Sequence, residues 1–361
     1  MSTQVWVGTS GYSYLDWIGA YGFALAIMSA IFHRNRTGEG QWVDMSCTDA
    51  GASVPFQCKA GACGTCATEV IGSHDGLGRV TQREARTLGA AALDPARFRL
   101  PCLHTVQGDI VFGRPAHAAA AASTLPVIDC EVESFRRLNL TVAEVRFFVP
   151  RAGFAFQPGQ YMVFRIPSAD GREVIRRSYS ISTPPSDARH FEICVRAVAG
   201  GHGSNWVHRL RPGQVVKAEG PVGDFVLGGG DRDLVMIATG TGMSPIKSML
   251  LHLLDQRSQR RVRLFFGVRA VQDLFYTDLL RGLEAHYPAF SSELAVSSPD
   301  PAQWAGARGR VTRLIEERLT ADDAARSEAY LCGSRAMIED ASALLRAKGM
   351  DPAHIHFENF Y

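Results

Sequence analysis

Three cysteines in Cys58-x4-Cys63-x2-Cys66 spacing, with Cys102 further along, constrain this chain more than any other feature, because thiolates that converge on one point dictate the path of the backbone between them. Four thiolates so placed can hold a two-iron two-sulfur cluster, which would make the chain an electron carrier. The intervening residues suit that task. A loop wrapped around a cluster needs positive φ angles and backbone amides aimed at anionic sulfurs, and Gly61 and Gly64 meet both needs without a clashing side chain. The fourth thiol lies in Arg99-Leu-Pro-Cys102-Leu-His104, followed by an apolar stretch, Asp109-Ile-Val-Phe-Gly113, that reads as the closing strand of the same small domain. The alternatives are a structural zinc site and scattered buried thiols, and the zinc reading lacks the two Cys-x2-Cys knuckles that tetrahedral sites often show.

At 361 residues the chain exceeds one comfortable hydrophobic core, so about two to four compact units are expected. A net charge of +2 gives no support for a nucleic-acid partner. The cysteines outside the proposed ligand set, Cys47, Cys130, Cys194 and Cys332, are too scattered for a secreted disulfide framework, so a reducing cytoplasm is the expected home. No signal peptide is read at the start, because a basic leading region and a small-residue cleavage site are both missing. The uncharged stretch Trp17 to Phe32 is the sole membrane candidate. It is shorter than a bilayer usually demands and is interrupted by Gly19, Gly22 and Ser29, so a buried core helix is expected and a membrane partner is not.

Around the cysteines the sequence resembles a plant-type ferredoxin module, and Ala50-Gly-Ala-Ser-Val-Pro-Phe56 resembles the approach to its first ligand. A ferredoxin normally carries a β-hairpin and most of a helix ahead of this point; here a different prologue stands in their place. Its segments Tyr14-Leu-Asp-Trp-Ile-Gly-Ala20, His33-Arg-Asn-Arg-Thr-Gly-Glu-Gly-Gln41 and Asp44-Met-Ser46 resemble an internal stretch of a family III CoA-transferase. In that family an aspartate is the acyl-forming nucleophile, and Asp16 is the candidate for that position. A carboxylate without a CoA pocket and oxyanion partners is not expected to catalyse acyl transfer. Two readings stay open: the strand-like runs Gln4 to Gly8 and Gln41 to Met45 substitute for the hairpin, or the cluster domain is incomplete and its cluster labile.

The alanine-rich stretch Pro115 to Ser123 is low in complexity and reads as a linker. Beyond it, Val127 to Glu133, Val142 to Val149 and Gln160 to Ile166 read as strands of a small barrel, with a turn at Gln157-Pro-Gly-Gln160. From Asp233 onward strands alternate with helices: Leu234 to Ala238, the helix Pro245 to Leu254, Val262 to Gly267, the helix Asp273 to Ala285, Ala329 to Leu331, and a helix near Ala336 to Ala347. Such alternation predicts a parallel sheet with crossover helices.

The barrel carries Arg177-Ser-Tyr-Ser180, which supplies what a flavin needs close together: a cation for the pyrophosphate, an aromatic face for the ring system and a hydroxyl for the reacting nitrogen. Strand alternation puts Arg177 and Tyr179 on one face. The glycine-rich turn Gly200-Gly-His-Gly-Ser204-Asn205 then leads into a helix, expected to be capped by Ser204, whose free amides can receive a phosphate. In the next unit a strand runs directly into Thr239-Gly240-Thr241-Gly242-Met-Ser-Pro245 and a helix, the context a phosphate-binding glycine loop requires. Cys332 in Tyr330-Leu-Cys332-Gly333-Ser334 falls at another strand end, although a small buried thiol is the default for an isolated cysteine.

Taken in order, Arg-x-Tyr-Ser, Gly-x-x-Ser, Gly-x-Gly-x-x-Pro, Cys-Gly and a terminal Glu358-Asn-Phe360 resemble the ferredoxin-NADP reductase superfamily; with the iron-sulfur segment in front, residues 49 to 361 resemble the reductase components of bacterial ring-hydroxylating dioxygenases and multicomponent monooxygenases. The resemblance implies that Arg177, Tyr179 and Ser180 hold FAD, that Gly201, Ser204 and Asn205 hold its pyrophosphate, and that Gly240, Thr241, Gly242, Pro245, Arg269 and Gly333 take the nicotinamide dinucleotide. Ser180, Cys332 and Glu358 would border the hydride-transfer site, with Phe360 or Tyr361 covering the flavin, and Cys58, Cys63, Cys66 and Cys102 would ligate a 2Fe-2S cluster. Asp300, after a third strand, would accept ribose hydroxyls and repel a 2′-phosphate, which favours NADH, while Arg308 and Arg310 keep NADPH open.

The expected fold is thus a multidomain α+β and α/β chain: 1–47, a CoA-transferase-like fragment with an apolar helix; 48–114, a partial β-grasp 2Fe-2S domain; 115–124, a linker; 125–228, an antiparallel FAD-binding β-barrel; 229–361, a Rossmann-like NAD(P)-binding domain. The expected function is transfer of electrons from NADH through FAD and the cluster to a terminal oxygenase or other one-electron acceptor protein, by a monomer. The alternatives are a membrane-associated NADH:quinone reductase subunit, a diaphorase with a dead cluster domain, and a CoA-transferase remnant acting in assembly.

Overall fold

The computed structural model describes residues 45–46, 66–90, 92–106, 110–115, 126–150, 154–168, 174–298, 300 and 303–360. Cys58, Cys63, Asp16, the apolar stretch from Trp17 to Phe32 and nearly all of the 115–124 linker lie outside these residues. Among the described residues no helix is long and apolar enough to cross a membrane. The chain forms two compact units, residues 1–124 and 125–361.

In the first unit β1 (Met45–Ser46), β2 (Thr68–Ile71), β3 (Phe98–Arg99), β4 (Thr105–Val106) and β5 (Val111–Pro115) make two small sheets, β1 with β4 and β3-β2-β5, all antiparallel. The closing strand expected at 109–113 is β5, two residues further on. A helix, Gln82–Ala90, begins at a capping box in which the Glu84 amide donates to Thr81 Oγ1 at 3.1 Å and the Thr81 amide donates to Glu84 Oε2 at 3.4 Å. Leu88 and Leu100 pack with Cys66 and Ala67 as its core.

The second unit opens with β6 (Val127–Arg137), β7 (Val142–Phe148), β8 (Tyr161–Pro167), β9 (Val174–Ser180), β10 (His190–Arg196) and β11 (Val215–Val222), an antiparallel sheet in the order β10-β7-β6-β11-β8-β9. Alternation along β6 turns Ile128, Cys130 and Val132 inward, where Phe147 stacks on Phe191 with ring centres 5.1 Å apart. A bridge between Ile181 and Ile193 joins the β9 end to β10, so the two outer strands meet and the sheet closes as the expected barrel. The Gln157–Gln160 turn forms as its sequence predicts, with Gly159 at φ +102°.

The remaining strands, β12 (Asp233–Thr239), β13 (Val262–Val268), β14 (Phe290–Val296), β15 (Ala307–Arg308), β16 (Ser327–Gly333) and β17 (Ile355–Asn359), form an all-parallel sheet ordered β15-β14-β13-β12-β16-β17. The seven residues of β16 are all buried, as a strand covered on both faces must be. Crossover helices Met243–Asp255, Thr277–His286, Val311–Arg318 and Arg335–Ala347 flank it. The order reverses between β12 and β16, which opens a crevice at their C-terminal ends. One helix departs from expectation. The helix predicted from Asp273 starts at Thr277, because Asp273 instead accepts from the Ala270 amide and Tyr276 takes a left-handed conformation, φ 61°.

Candidate active site

The barrel side of the crevice is built on β9. Arg177 and Tyr179 share a face, since a Cβ on Gly203 would lie 2.7 Å from Arg177 Cγ and 2.8 Å from Tyr179 Oη. Only a glycine lets the short helix His202–Val207 approach so closely, with its backbone packed against the two side chains. Ser204 does not cap this helix. Gly201 is the N-cap, and Ser204 Oγ folds back to accept from the Val198 amide at 3.1 Å while Asn205 Nδ2 donates to the Val198 carbonyl at 3.1 Å. Both side chains therefore brace the turn, and the first helix amides are left without a side-chain cap.

One residue past Tyr179, the buried Ser180 hydroxyl donates to Glu358 Oε2 at 3.3 Å. Glu358 stands on β17 in register with Cys332 on β16. Cys332 is fully buried; burial first, and then the neighbouring Glu358 charge, push its thiol well above the ordinary range. It is a neutral wall of the crevice. A Cβ on Gly242 would collide with the Cys332 carbonyl, so the Gly240–Gly242 turn, with Gly240 at φ +52°, packs directly on the β16 end. Thr239 Oγ1 receives the Ser334 amide at 3.3 Å, and Gly333 (φ +152°) accepts at its carbonyl from the Phe360 amide at 2.7 Å. Ser180, Cys332, Glu358, Gly240–Gly242, Gly333 and Phe360 are thus gathered at one place, with Pro245 buried behind the turn.

Arg269 is exposed just past β13, where the Ser297 and Ser298 amides donate to the Val268 and Arg269 carbonyls. Asp300 is exposed nearby in sequence; Arg310 pairs with Asp340 at 3.8 Å and Arg308 Nη2 donates to the Trp304 carbonyl at 3.1 Å. Tyr361 lies outside the described residues.

In the first unit, Cys66 is buried and Cys102 lies in the turn Pro101–Leu103. Thr68 on β2 pairs with Arg99 on β3 in antiparallel sense, so Cys66, two residues before Thr68, and Cys102, three after Arg99, follow the backbone to the same end of the sheet. Sequence reasoning missed what holds that end. Arg99 Nε and Nη2 donate to the two Glu84 oxygens at 3.0 and 3.2 Å, the Leu100 amide donates to Oε1 at 2.7 Å, and His104 Nε2 lies 2.7 Å from Oε2. Burial would raise the Glu84 carboxyl, yet the bonds from His104, Arg99 and Leu100 outweigh it and hold it at about 2. Thr81-Gln-Arg-Glu84 signalled the cap in sequence; nothing local signalled that the same carboxylate would clamp the Cys102 turn.

The sequence matches the family models of the oxidoreductase FAD-binding domain over residues 129–227 and the oxidoreductase NAD-binding domain over 236–343. CoA-transferase family III matches residues 7–74, a span that includes three of the clustered cysteines. The toluate 1,2-dioxygenase electron transfer component of Pseudomonas putida is 30% identical over 86% of this chain and 89% of its own. The ferredoxin--NAD(P)(+) reductase component of the naphthalene 1,2-dioxygenase/salicylate 5-hydroxylase systems of a Ralstonia species is 32% identical over 85% and 90%. Among solved structures, the Amycolatopsis cytochrome P450 reductase GcoB is 26% identical and superposes with a TM-score of 0.61 over 85% of this chain and 90% of that one. The ferredoxin reductase of carbazole 1,9a-dioxygenase, 21% identical over 85% and 89%, shares the fold with a TM-score of 0.61.

Proposed function

The chain belongs to the family of FAD- and NAD-binding oxidoreductases whose members are electron-transfer components of dioxygenases and monooxygenases, and from that premise we propose that it is an NADH-dependent reductase delivering electrons through FAD and a 2Fe-2S cluster to an oxygenase or other one-electron acceptor. The observation that carries this reading is the Ser180–Glu358 contact beside Cys332, which joins the flavin-type barrel to the crevice of the parallel sheet. When bound, the cofactors supply the chemistry, hydride acceptance by FAD and one-electron delivery by the cluster.

The chain's own residues bind, orient and exclude water. Arg177 offers its cation to the FAD pyrophosphate together with the amides of the Gly201, Ser204 and Asn205 turn, and Tyr179 lays its ring along the flavin. The close approach of the Gly203 backbone to Arg177 and Tyr179 gathers these groups on one surface of the barrel. Ser180 Oγ donates its proton to Glu358, so its lone pairs would be the groups left to accept from an N–H at the reacting ring nitrogen, with a carboxylate behind them. Gly240, Thr241, Gly242 and Pro245 receive the dinucleotide at the switch point, Arg269 its phosphates at the crevice mouth, Gly333 and Cys332 the nicotinamide edge, and Phe360 closes the flavin face. Asp300 favours NADH, and the pairing of Arg310 with Asp340 supports that choice.

For the cluster, the thiol donor set Cys58, Cys63, Cys66 and Cys102 fits iron and sulfide, and the shared sheet end of Cys66 and Cys102 supports it. The pairing of β1 with β4 supports a sheet in which part of the prologue replaces the usual ferredoxin hairpin. A cytoplasmic monomer with this organisation completes the reading. Anaerobic titration with NADH tests it: flavin and iron-sulfur absorbance should bleach together. Flavin bleaching alone, in protein without iron and acid-labile sulfide, would leave a diaphorase in place of the relay.

A further inference from the structure

One carboxylate on the barrel holds the segments that follow two neighbouring strands of the parallel sheet, β12 and β13. Glu144, buried on β7, accepts from Lys247 Nζ at 2.8 Å and from Tyr276 Oη at 2.5 Å, and Arg136 Nη2 donates to its other oxygen at 2.6 Å. Lys247 lies on the helix that starts at the glycine turn, and it also donates to Glu192 on β10 at 2.8 Å. Tyr276 ends the segment that follows β13, the strand paired with β12. The two donors also touch each other, with Lys247 Nζ 4.7 Å from the Tyr276 ring centre.

Two features mark this cluster as more than packing. Buried charges are costly, and an apolar contact would hold the barrel to the sheet as well. Tyr276, moreover, occupies the left-handed region at φ 61°, which residues other than glycine rarely adopt, so its contacts offset a local backbone cost. Burial acting alone would raise the Glu144 carboxyl, but the Lys247 charge and the bonds from Lys247, Tyr276 and Arg136 hold it well below the usual carboxylate range, so the anion persists at neutral pH.

We propose that Glu144, through Lys247 and Tyr276, is a positioning residue that sets the nicotinamide against the flavin-bearing barrel, so that the two reacting rings meet without domain closure. The inference rests on the functional reading above. Its test is anaerobic stopped-flow reduction of the full-length holoprotein by NADH, comparing the parent with Tyr276→Phe, which removes one hydroxyl, and with Lys247→Gln, which keeps donors and removes the charge. The limiting rate of flavin reduction should fall on the order of tenfold in each. The long-wavelength nicotinamide–flavin charge-transfer band should weaken, while the NADH dissociation constant changes less than about twofold, because the ADP half supplies most of the affinity. Ser186→Ala, which removes the hydrogen bond to Asp255 away from this cluster, should match the parent in both.

Variants that lose thermal stability but keep the parent's limiting rate and charge-transfer band would overturn the inference and leave a structural role only. A parent whose flavin NADH fails to reduce would overturn the functional reading and this inference with it. A parent that is reduced, beside a Tyr276→Phe protein indistinguishable from it, would overturn the inference alone.

Discussion

The Ser180 hydroxyl and the Glu358 carboxylate, 178 positions apart in the chain, meet at 3.3 Å where the closed barrel faces the β16–β17 edge of the parallel sheet. The contact brings the strand β17 against the barrel. Removing the hydroxyl with Ser180→Ala should slow flavin reduction by NADH on the order of 100-fold while FAD content, read from its absorbance, stays at the parent level.

The crevice wall is set by backbone. Gly242→Ala would drive a methyl into the Cys332 carbonyl, and backbone cannot yield as a flexible side chain can. A stability loss of roughly 1–3 kcal/mol is expected in thermal unfolding, together with weakened NADH binding in equilibrium titration. Gly282→Ala, inside the helix Thr277–His286 with open space around it, should leave NADH binding unchanged and cost no stability, raising it by up to about 1 kcal/mol.

The Glu84 clamp predicts a defect at the cluster domain. Glu84→Gln leaves buried Arg99 short of its charge partner, at a cost on the order of 3 kcal/mol, and should speed amide exchange in β2 and β3 and the release of iron to a chelator.

The same clamp has a pH signature whose sign follows from linkage. The folded Glu84 carboxyl is held down at about 2, below the ordinary glutamate value of 4.5, so its stabilisation is complete above pH 4.5 and is lost as the pH falls toward 2. The gap in β2 and β3 exchange protection between metal-free parent and metal-free Glu84→Gln should therefore be widest above pH 4.5 and close below it. A gap independent of pH across that window would mean that the carboxylate charge is not what holds the turn.

Cofactor choice should respond to one side chain. Asp300→Ala is expected to raise the NADPH-to-NADH ratio of kcat/KM by roughly tenfold, because a 2′-phosphate no longer meets a carboxylate. Measurement with ferricyanide as acceptor isolates this effect from the cluster.

What the amino-acid sequence determined by itself was the succession of elements and the glycine positions. Period-two alternation marked β6, an unbroken apolar run marked β12, and Gly240-Thr-Gly242 after that strand marked the turn at the switch point; each is a local pattern imposed by backbone geometry and one-sided or two-sided burial. Local reading failed where side chains chose between near and far partners. Ser204 looked like a cap and braced Val198 instead, and the helix expected at Asp273 waited for Tyr276. Only the tertiary structure decided that Ser180 faces Glu358, that Glu84 reaches Arg99 and His104, and that Glu144 gathers Lys247 and Tyr276. Such pairings join residues distant in the chain, and a charge carries no periodicity that names its partner; burial and register select it once the layers have packed.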